Sequence, residues 1–368
     1  MPKESADGER RVALVPDVVK SLKKNENVAV AIESGAGDAA GHPDSQYAEA
    51  GAEVVDSEVT WGADVVLRVA VPSAAEIGRL SSSQLLIGHL APWTSAETNK
   101  ALAQAGVTSF AMEAIPRTTR AQAMDSLSSQ AAAAGYAASL IAARESGRFY
   151  GMMTTAAGTV PPAKVLVLGA GVAGLQAVAT AKRLGAIVTG FDIRRAAWEQ
   201  IASLGGRPLE LDFIPDAEGE GGYARPLTDE ENAQVRDALG ENAAKQDVIV
   251  TTAAIPGRPA PLLITADAVR GMAPGSVIVD LAAETGGNCE LTQAGQTVVE
   301  NGVKVIGPRN LASEMPAPAS QLYAKNLENL LGLLVTEEGK VNVDFEDDIV
   351  AAACITEGGE IKNERAAK

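Results

Sequence analysis

One glycine-rich turn constrains the fold of this chain more than any other feature. The turn Gly169-Ala-Gly-Val-Ala-Gly174 follows the apolar run Lys164-Val-Leu-Val-Leu168 and precedes a helical stretch that ends near Leu184. In such a strand–turn–helix unit the first glycine permits the tight turn, the second lets backbone approach a pyrophosphate, and the third lets helix and strand pack closely. The amino terminus of the helix then faces the phosphate. The pattern therefore predicts a dinucleotide-binding βαβ unit.

The next apolar run ends on the acidic residue that such a unit requires. Asp192 closes the run Ile187–Asp192. Its separation from Gly174 along the chain is near the spacing of about 20 residues at which a carboxylate binds an adenine ribose. That carboxylate would repel a 2′-phosphate, so the position favours NAD over NADP. Arg194 and Arg195 point weakly the other way, because an arginine after this strand can accept a 2′-phosphate.

Composition limits the other possibilities. The chain has 368 residues, a formal net charge of −16, two cysteines and two histidines. The acidic balance disfavours a nucleic-acid binder, and the cysteines and histidines are too few and too scattered for a zinc site or a disulfide framework, so we predict no metal. The length favours two domains. No stretch approaches the roughly 20 apolar residues of a membrane helix, which predicts a cytoplasmic chain.

Apolar runs alternate with helical stretches, as in an α/β protein with parallel sheets. The predicted strands are residues 28–33, 63–71, 85–90, 107–112, 164–168, 187–192, 248–253, 277–282 and 303–307. Two stretches, 120–148 and 322–335, are predicted to be long helices between the domains. A loop at about 213–227 lacks periodicity and is either a functional lid or a tolerated insertion.

Polar side chains are concentrated at the start of the first of these long helices. Gln122, Asp125 and Ser129 are predicted to share one helical face, with Ser128 close by and Arg117 just before them. From this pattern alone, a solvated helix start is the simpler interpretation.

Five segments carry a resemblance to one known family. They are Arg117-TTRAQAMDSLSSQ, Met152-MTTAAGTVPPAKVLVLGAGVAGLQAVATAKRLGA, Gly221-GYA, Thr251-TAAIPGRPAP and Gly275-SVIVDLAAETGGNC. Together they resemble the soluble NAD(H)-binding domain, domain I, of proton-translocating NAD(P) transhydrogenases. The similarity covers essentially the whole chain, and the RAQxMDxLSSQ block is specific to that family.

The resemblance implies two Rossmann-like, doubly wound parallel-sheet domains joined by long helices, with the cofactor in the cleft. We expect an N-terminal domain of residues 1–125 plus 312–368 and an NAD-binding domain of residues 126–311 with a mobile loop at about 213–227. The family normally has a short segment before the position of Pro2, so two interpretations stay open: a truncated first strand or a misassigned start codon. Because the chain ends at Lys368 without membrane helices, we expect a separate subunit of a split transhydrogenase.

The resemblance also implies roles for individual residues at the nicotinamide end. Its cofactor-binding and catalytic positions correspond here to Arg117, Thr118, Thr119, Gln122, Asp125 and Ser128. Arg117, Asp125 and Ser128 match side chains that hold the carboxamide and orient the ring. Gln122 matches the residue that projects towards the partner domain and the second nicotinamide.

The remaining implied positions surround the rest of the cofactor. By resemblance they are Gly169, Gly171, Val172, Ala173 and Gly174 at the pyrophosphate, Asp192, Ile193 and Arg194 at the adenosine, Gly222 and Tyr223 in a loop that closes over NAD(H), and Ala254 at a strand end. For the loop at about 213–227, this match favours a functional lid over a tolerated insertion.

The family passes hydride directly between NAD(H) on domain I and NADP(H) on a separate domain III, while a membrane domain moves protons. The resemblance therefore implies a homodimer that associates peripherally with the inner membrane through its partner subunits. Hydride transfer between two nicotinamide rings moves no proton at the reacting carbons, so the protein supplies proximity and orientation rather than an acid or a base.

Two alternatives stay open. Alanine dehydrogenase resembles the chain more distantly, with Arg11 and His89 at positions that bind substrate or handle a proton, but Arg68 stands where a lysine is expected and Glu284 where an aspartate is expected. A satisfied strand-end histidine is the simpler interpretation of His89. The second alternative is a non-catalytic NAD-sensing module whose lid changes a protein surface.

Overall fold

The computed structural model describes residues 1–211, 213, 225, 227–254 and 257–367. Contacts divide the chain into two compact units, one formed by Met1–Gln130 with Ala312–Lys368 and the other by Ala131–Leu311. The second unit is thus inserted into the sequence of the first.

The second unit contains the glycine-rich turn. Its helices and strands are the end of α6 (Ser126–Glu145), then β6 (Met153–Thr155), β7 (Gly158–Val160), β8 (Lys164–Leu168), α7 (Val172–Arg183), β9 (Ile187–Phe191), α8 (Ala196–Ser203), β10 (Arg207–Pro208), α9 (Asp229–Ala243), β11 (Val248–Thr251), α10 (Ala266–Arg270), β12 (Val277–Asp280), β13 (Gln296–Glu300) and β14 (Val303–Gly307).

The strands of this unit form a sheet in the order β10-β9-β8-β11-β12-β14-β13. All pairs are parallel except β13 with β14. The order changes direction between β8 and β11, which is the arrangement of a doubly wound, Rossmann-like sheet. The central strands are almost wholly buried, as β11 and β12 illustrate, because a parallel sheet of this kind has both faces covered.

Small residues let a helix approach the turn closely. A β-carbon at Gly135 of α6 would lie 2.1 Å from the carbonyl oxygen of Ala173 in α7, and Ser139 Oγ donates a 3.0 Å hydrogen bond to the carbonyl of Ala177. These contacts bring the backbones of α6 and α7 together beside the glycine-rich turn.

Strands β6 and β7 form a separate antiparallel hairpin whose six residues are all exposed. Several large apolar side chains on and beside it are exposed, namely Phe149, Met152, Met153 and Val160. Exposed apolar side chains grouped in this way are typical of surfaces that contact another protein.

The first unit has two sheets. Its helices and strands are α1 (Pro16–Leu22), β1 (Ala31–Glu33), α2 (Asp44–Glu49), β2 (Glu53–Val55), α3 (Ser57–Trp61), β3 (Val65–Leu67), α4 (Ala74–Ile77), β4 (Leu85–Gly88), α5 (Ala96–Gln104), β5 (Thr108–Ala111), the start of α6, α11 (Pro316–Leu334), α12 (Asp348–Ala353), β15 (Cys354–Glu357) and β16 (Glu360–Ile361).

The larger sheet has the order β16-β15-β5-β4-β3, and a second sheet pairs β1 with β2. Strands β3, β4 and β5 are parallel, whereas β15 joins β5 antiparallel and extends the sheet with residues from the far end of the chain. Helix α11 supplies Tyr323, Leu327 and Leu330 to the main core of this unit.

Each predicted strand segment contains an observed strand, and the fold class is confirmed. The unpredicted strands are β2, β6, β7, β10, β13, β15 and β16. All of them except β15 are short or largely exposed, and β15 is buried but has only two apolar residues.

Candidate functional site

The predicted dinucleotide-binding turn joins β8 to α7. Gly169 has a φ of +91°, and a β-carbon there would lie 2.8 Å from Thr252 Oγ1. Gly174 is buried, and a β-carbon there would lie 1.8 Å from the carbonyl oxygen of Gly169. Both positions require glycine for reasons internal to the protein, the first for the turn and the second for the packing of α7 against it.

Gly171 differs from the other two glycines. Its φ of −72° is available to any residue, and among the described residues no atom lies within 4 Å of a β-carbon built there. Gly171 and Val172 are exposed, Ala173 is half-buried, and no side chain in the described part of the chain caps the amino terminus of α7. The first N–H groups of this helix are therefore open to an anion.

Asp192 lies beside the turn, directly after β9. Its carboxylate accepts a 2.8 Å hydrogen bond from the Ala170 N–H and forms an ion pair of 2.9 Å with Arg194, whose backbone N–H also donates to it. Ile193 packs against the core of the second unit. As the sequence spacing predicted, the carboxylate of Asp192 lies next to the turn. In this structure that carboxylate is paired with Arg194.

The end of strand β11 also contacts the turn. Thr252 Oγ1 donates a 3.0 Å hydrogen bond to the Gly169 carbonyl, and the Thr252 N–H donates to the Leu168 carbonyl. Ala253 follows, and Ala254 is exposed. The structure therefore brings the turn, Asp192 and the end of β11 together at the carboxyl edge of one sheet.

Asp280 is a buried residue at this edge that the sequence reasoning missed. Its carboxylate accepts hydrogen bonds from the Thr251 and Thr292 hydroxyls, at 2.8 and 2.6 Å, and from the backbone N–H groups of Ala282, Asn288 and Cys289. Five donors on one carboxylate hold the segment after β12 against the end of β11. The run VIVD looked like a buried strand, and no local pattern indicated these partners.

The residues matched to the nicotinamide end lie in the first unit. A 3-10 helix spans Thr119–Met124, and α6 begins only at Ser126. The prediction of one helix from residue 120 is therefore wrong, and Gln122, Asp125 and Ser129 do not share a helical face. The reason is a local cap: Asp125 leaves the helical conformation, with ψ of 86°, and its carboxylate accepts hydrogen bonds from the start of α6.

The cap joins two of the predicted site residues. Ser128 donates to Asp125 through its N–H at 2.9 Å and through Oγ at 2.6 Å. Both side chains are half-buried. The exposed residues around them are Arg117, Thr118, Thr119 and Gln122.

Two further residues fix the 3-10 helix. Asn326 of α11 donates a 2.8 Å hydrogen bond to the Ala123 carbonyl and accepts one of 2.7 Å from Ser129 Oγ. Arg120 forms an ion pair with Asp347, at 2.6 Å, and with Asp348. Sequence reasoning missed Asn326, because its partners are distant along the chain.

The predicted lid residues Gly222 and Tyr223 lie outside the described residues. So does most of the loop at about 213–227.

Arg11 and Arg68, the two arginines compared with alanine dehydrogenase positions, are engaged with neighbouring carboxylates. Arg11 pairs with Glu9 at 2.6 Å, and both side chains are almost fully buried. Arg68, 0% exposed, pairs with Glu4 at 2.9 Å and Glu76 at 2.7 Å. Each of these arginines is therefore already paired with a carboxylate of the same unit.

His89 is in the same unit and has partners of its own. Its Nε2 lies 2.9 Å from Ser126 Oγ, and its ring packs against Tyr323. Desolvation by the surrounding protein lowers the pKa of His89, so the imidazole is neutral at neutral pH.

Among the described residues, no helix is long and apolar enough to cross a membrane. Within that same portion of the chain, no group of three or more histidine, cysteine, aspartate or glutamate side chains could hold a metal ion.

Two family models match the chain. The one described as "Alanine dehydrogenase/PNT, N-terminal domain" matches residues 1–134, and "Alanine dehydrogenase/PNT, C-terminal domain" matches residues 138–364.

Individual relatives cover nearly all of the chain. It is 45% identical to an NAD(P) transhydrogenase subunit alpha of Haemophilus influenzae over 98% of the chain and 70% of that protein. It is also 45% identical to the first of the polypeptides that make up the NAD(P) transhydrogenase subunit alpha of Rhodospirillum rubrum, over 98% of the chain and 96% of that protein. The crystal structure of transhydrogenase from Sinorhizobium meliloti superposes with a TM-score of 0.86 at 44% identity, covering 98% of both chains. The alanine dehydrogenase of Bacillus subtilis is more distant, at 28% identity over 100% of this chain and 93% of that protein.

Proposed function

The chain belongs to the Alanine dehydrogenase/PNT family, and from this premise we propose that it is the NAD(H)-binding subunit of a proton-translocating transhydrogenase. In this proposal the chain is an oxidoreductase that works within a complex. It exchanges hydride between its own NAD(H) and NADP(H) held by a partner domain. Membership of the family itself supports a nicotinamide nucleotide enzyme.

The open position at Gly171 is the observation that carries the proposal. The fold requires glycine at residues 169 and 174, whereas nothing in the described protein requires it at 171. A ligand that approaches the backbone there supplies the missing reason. We propose that the pyrophosphate of NAD(H) lies against Gly169, Gly171, Val172, Ala173 and Gly174, where the amino terminus of α7 stabilises its charge.

The adenosine end is proposed to involve Asp192, Ile193 and Arg194. The Asp192 carboxylate is available to ribose hydroxyls at the edge of the sheet once its ion pair with Arg194 rearranges. A carboxylate at this position repels a 2′-phosphate. Asp192 therefore supports NAD over NADP.

The nicotinamide end is proposed to be held by the residues that the family resemblance matches to it. Bound NAD(H) supplies the carbon that carries the hydride, and the protein holds the ring in place. Arg117 and the capped pair Asp125 and Ser128 offer donors and acceptors for the carboxamide, with Thr118 and Thr119 beside them. Gln122 is exposed on the rigid 3-10 helix, a position suited to a contact with the partner domain.

This division of labour explains why no acid–base residue is needed. The two reacting carbons must come within roughly 3 to 3.5 Å of each other, and correct orientation then lowers the barrier. Residues that hold an amide in place are sufficient. We further propose that Ala254 lines the cofactor and that Gly222 and Tyr223 belong to a loop that closes over it.

The proposal includes protein partners. They are an NADP(H)-binding domain, a membrane domain that moves protons, and a second copy of this chain. The exposed hairpin of β6 and β7, with Met152, Met153 and Val160, offers an apolar surface for the homodimer. The partners would hold the chain at the cytoplasmic face of the inner membrane.

The alternative of a self-contained alanine dehydrogenase lacks support from the charges in the first unit. Such an enzyme needs a cation for the substrate carboxylate and a proton donor. Arg11 and Arg68 are paired with glutamates, and His89 Nε2 lies 2.9 Å from Ser126 Oγ. Clear NADH production from alanine and NAD by the purified chain would contradict the transhydrogenase proposal.

Reconstitution tests the proposal directly. The purified chain is mixed with the NADP(H)-binding domain of a transhydrogenase, NADH and an NADP analogue with a distinct absorbance. We expect hydride exchange well above the rate of either protein alone. Tight NADH binding without any exchange would instead identify a sensing module.

A further inference from the structure

We infer that Asn288 is a positioning residue for the nicotinamide half of the dinucleotide. The inference rests on the proposed binding of NAD(H) and adds a residue that no sequence motif assigns. Asn288 does not touch the turn itself. It acts on the backbone that follows β11, next to the turn.

The side chain of Asn288 binds two separate stretches of backbone. Its Oδ1 accepts a 3.0 Å hydrogen bond from the Ala253 N–H, and its Nδ2 donates at 2.8 Å to the carbonyls of Ala253 and Pro261. Asn288 is 0% exposed, so these bonds do not compete with water. One amide thus fixes the backbone on both sides of Ala253 and ties it to Pro261.

Asn288 is itself held by the sheet. Its N–H donates a 2.7 Å hydrogen bond to Asp280, whose carboxylate also binds the hydroxyl of Thr251 at the end of β11. Gly287 permits the approach, because a β-carbon there would lie 2.9 Å from Asp280 Oδ2. We call the Asn288 side chain and its hydrogen bonds to Ala253 and Pro261 the clamp. The clamp is anchored to β11 and β12 together, and it has little freedom to shift.

The topology assigns this clamp to one half of the ligand. In a doubly wound sheet a dinucleotide crosses the carboxyl edge at the point where the strand order reverses, here between β8 and β11. The adenosine half lies on the β9 side, where Asp192 is found. The β11 side, with Ala253 and Ala254, is left for the nicotinamide half.

The clamp predicts a selective effect of its removal. Without the Asn288 side chain, the N–H and carbonyl of Ala253 lose their partners, and the backbone of residues 253 and 254 is free to rearrange. Thr252 stays bound to Leu168 and Gly169. The nicotinamide half of NADH then lies against a backbone segment that is no longer held in place. ADP has only the adenosine and pyrophosphate, so it does not reach this segment. The loss should fall on NADH alone.

The test compares NADH and ADP binding to the full-length chain by calorimetric titration. For Asn288→Ala we expect the Kd of NADH to rise about tenfold, a loss of about 1.4 kcal/mol, while the Kd of ADP changes less than about twofold. Asn99→Ala is the matched control: Asn99 is also a buried amide that donates to two carbonyls, those of Pro92 and Ala366, but lies in the first unit. It should change neither Kd.

A second variant protects the test against misfolding. Thr292→Val removes one of the five donors to Asp280 while keeping the side-chain shape, and we expect a smaller rise in the Kd of NADH, about threefold, with ADP again unchanged. Equal losses for NADH and ADP, or no loss in either variant, would overturn the inference. Failure of the unmodified chain to bind either ligand would instead refute the proposed function.

Discussion

The substitution Gly171→Ala should weaken NADH binding while leaving the stability of the fold nearly unchanged. The added methyl group meets no described atom within 4 Å, and alanine adopts a φ of −72° without strain. Loss of unfolded-state freedom should stabilise the variant by about 0.4 to 1 kcal/mol, and the poorer N-cap should cost up to about 1 kcal/mol. The free energy of unfolding without ligand should therefore change by less than about 1 kcal/mol.

The same methyl group would stand where the pyrophosphate is proposed to lie. Inserting a methyl into a close contact costs about 1 to 3 kcal/mol, which raises the Kd of NADH roughly 10- to 100-fold. At a ligand concentration of 100 times the unmodified Kd, bound NADH stabilises the unmodified chain by about 2.7 kcal/mol. The variant should retain only about 0.4 to 1.4 kcal/mol of this stabilisation.

Thermal unfolding with and without NADH measures both quantities at once. For a unit of this size, about 2.7 kcal/mol corresponds to a rise in Tm of about 5 to 10 °C, which should shrink to a few degrees or less in Gly171→Ala. Gly174→Ala provides the contrast. Its methyl group would lie 1.8 Å from the Gly169 carbonyl oxygen, so it should lower the Tm even without ligand.

Two outcomes would refute the proposed role of Gly171 in NADH binding. If Gly171→Ala binds NADH as tightly as the unmodified chain, the ligand does not approach that backbone. If it lowers the ligand-free Tm as much as Gly174→Ala does, glycine at residue 171 is required by the fold, and its value as a ligand marker is lost.

Three further predictions concern the first unit. Desolvation raises the pKa of Glu76, but hydrogen bonds from Arg68, Ser73 and Ser5 and the charge of Arg68 together outweigh it and lower the pKa to about 2 from 4.5. These interactions therefore add stability above pH 4.5 that is lost as the pH falls towards 2. Urea unfolding of Glu76→Gln should show a weaker pH dependence in that window, and an unchanged slope would contradict the pairing. Asp125→Ala should lower the free energy of unfolding by about 1 kcal/mol, and Asp125→Ser, which keeps a capping oxygen for Ser128, should recover most of it; equal losses in urea unfolding would refute the cap. Gln122→Asn should slow hydride exchange with little change in the Kd of NADH, and parallel losses in stopped-flow rates and titration would argue against its interface role.

The sequence was most informative where local pattern and tertiary structure agree. The bounds of β8, Lys164–Leu168, are those predicted, and β9 ends one residue earlier than expected. Glycines at residues 169 and 174 explain this success, because their sterics act within a few residues of each other. Asp192 was placed next to the turn for the same reason.

Helix starts were harder to predict. The high helix propensity of the alanine-rich sequence led us to predict that the helix starts at residue 120. In the structure the Asp125 side chain accepts a hydrogen bond from the Ser128 N–H, and α6 starts at Ser126. An acidic residue three positions before a serine is a recognisable cap, and it should have outweighed propensity. For α11, Pro316 at the first turn marked an earlier start than the predicted residue 322.

The buried amides and carboxylate could not be predicted from the sequence. Asn288, Asn326 and Asp280 bind backbone or side chains on other elements. Asp280 and Asn288 lie in one of the segments that carry the family resemblance, but that motif does not indicate their partners. A single polar residue has no periodicity, and its partners are defined only once the sheet and helices have packed. These three residues hold the segments that carry the candidate site.

The insertion of one unit within the other affects the order in which the protein is made. Strand β5 ends at Ala111, but its antiparallel neighbour β15 begins at Cys354. During synthesis the whole second unit emerges from the ribosome before this partner does, and it can fold as a continuous segment. The amino-terminal half-unit meanwhile presents an open sheet edge and an uncovered apolar face that α11 later packs against. Newly made chains are therefore most exposed to aggregation, and most dependent on chaperones, during this interval.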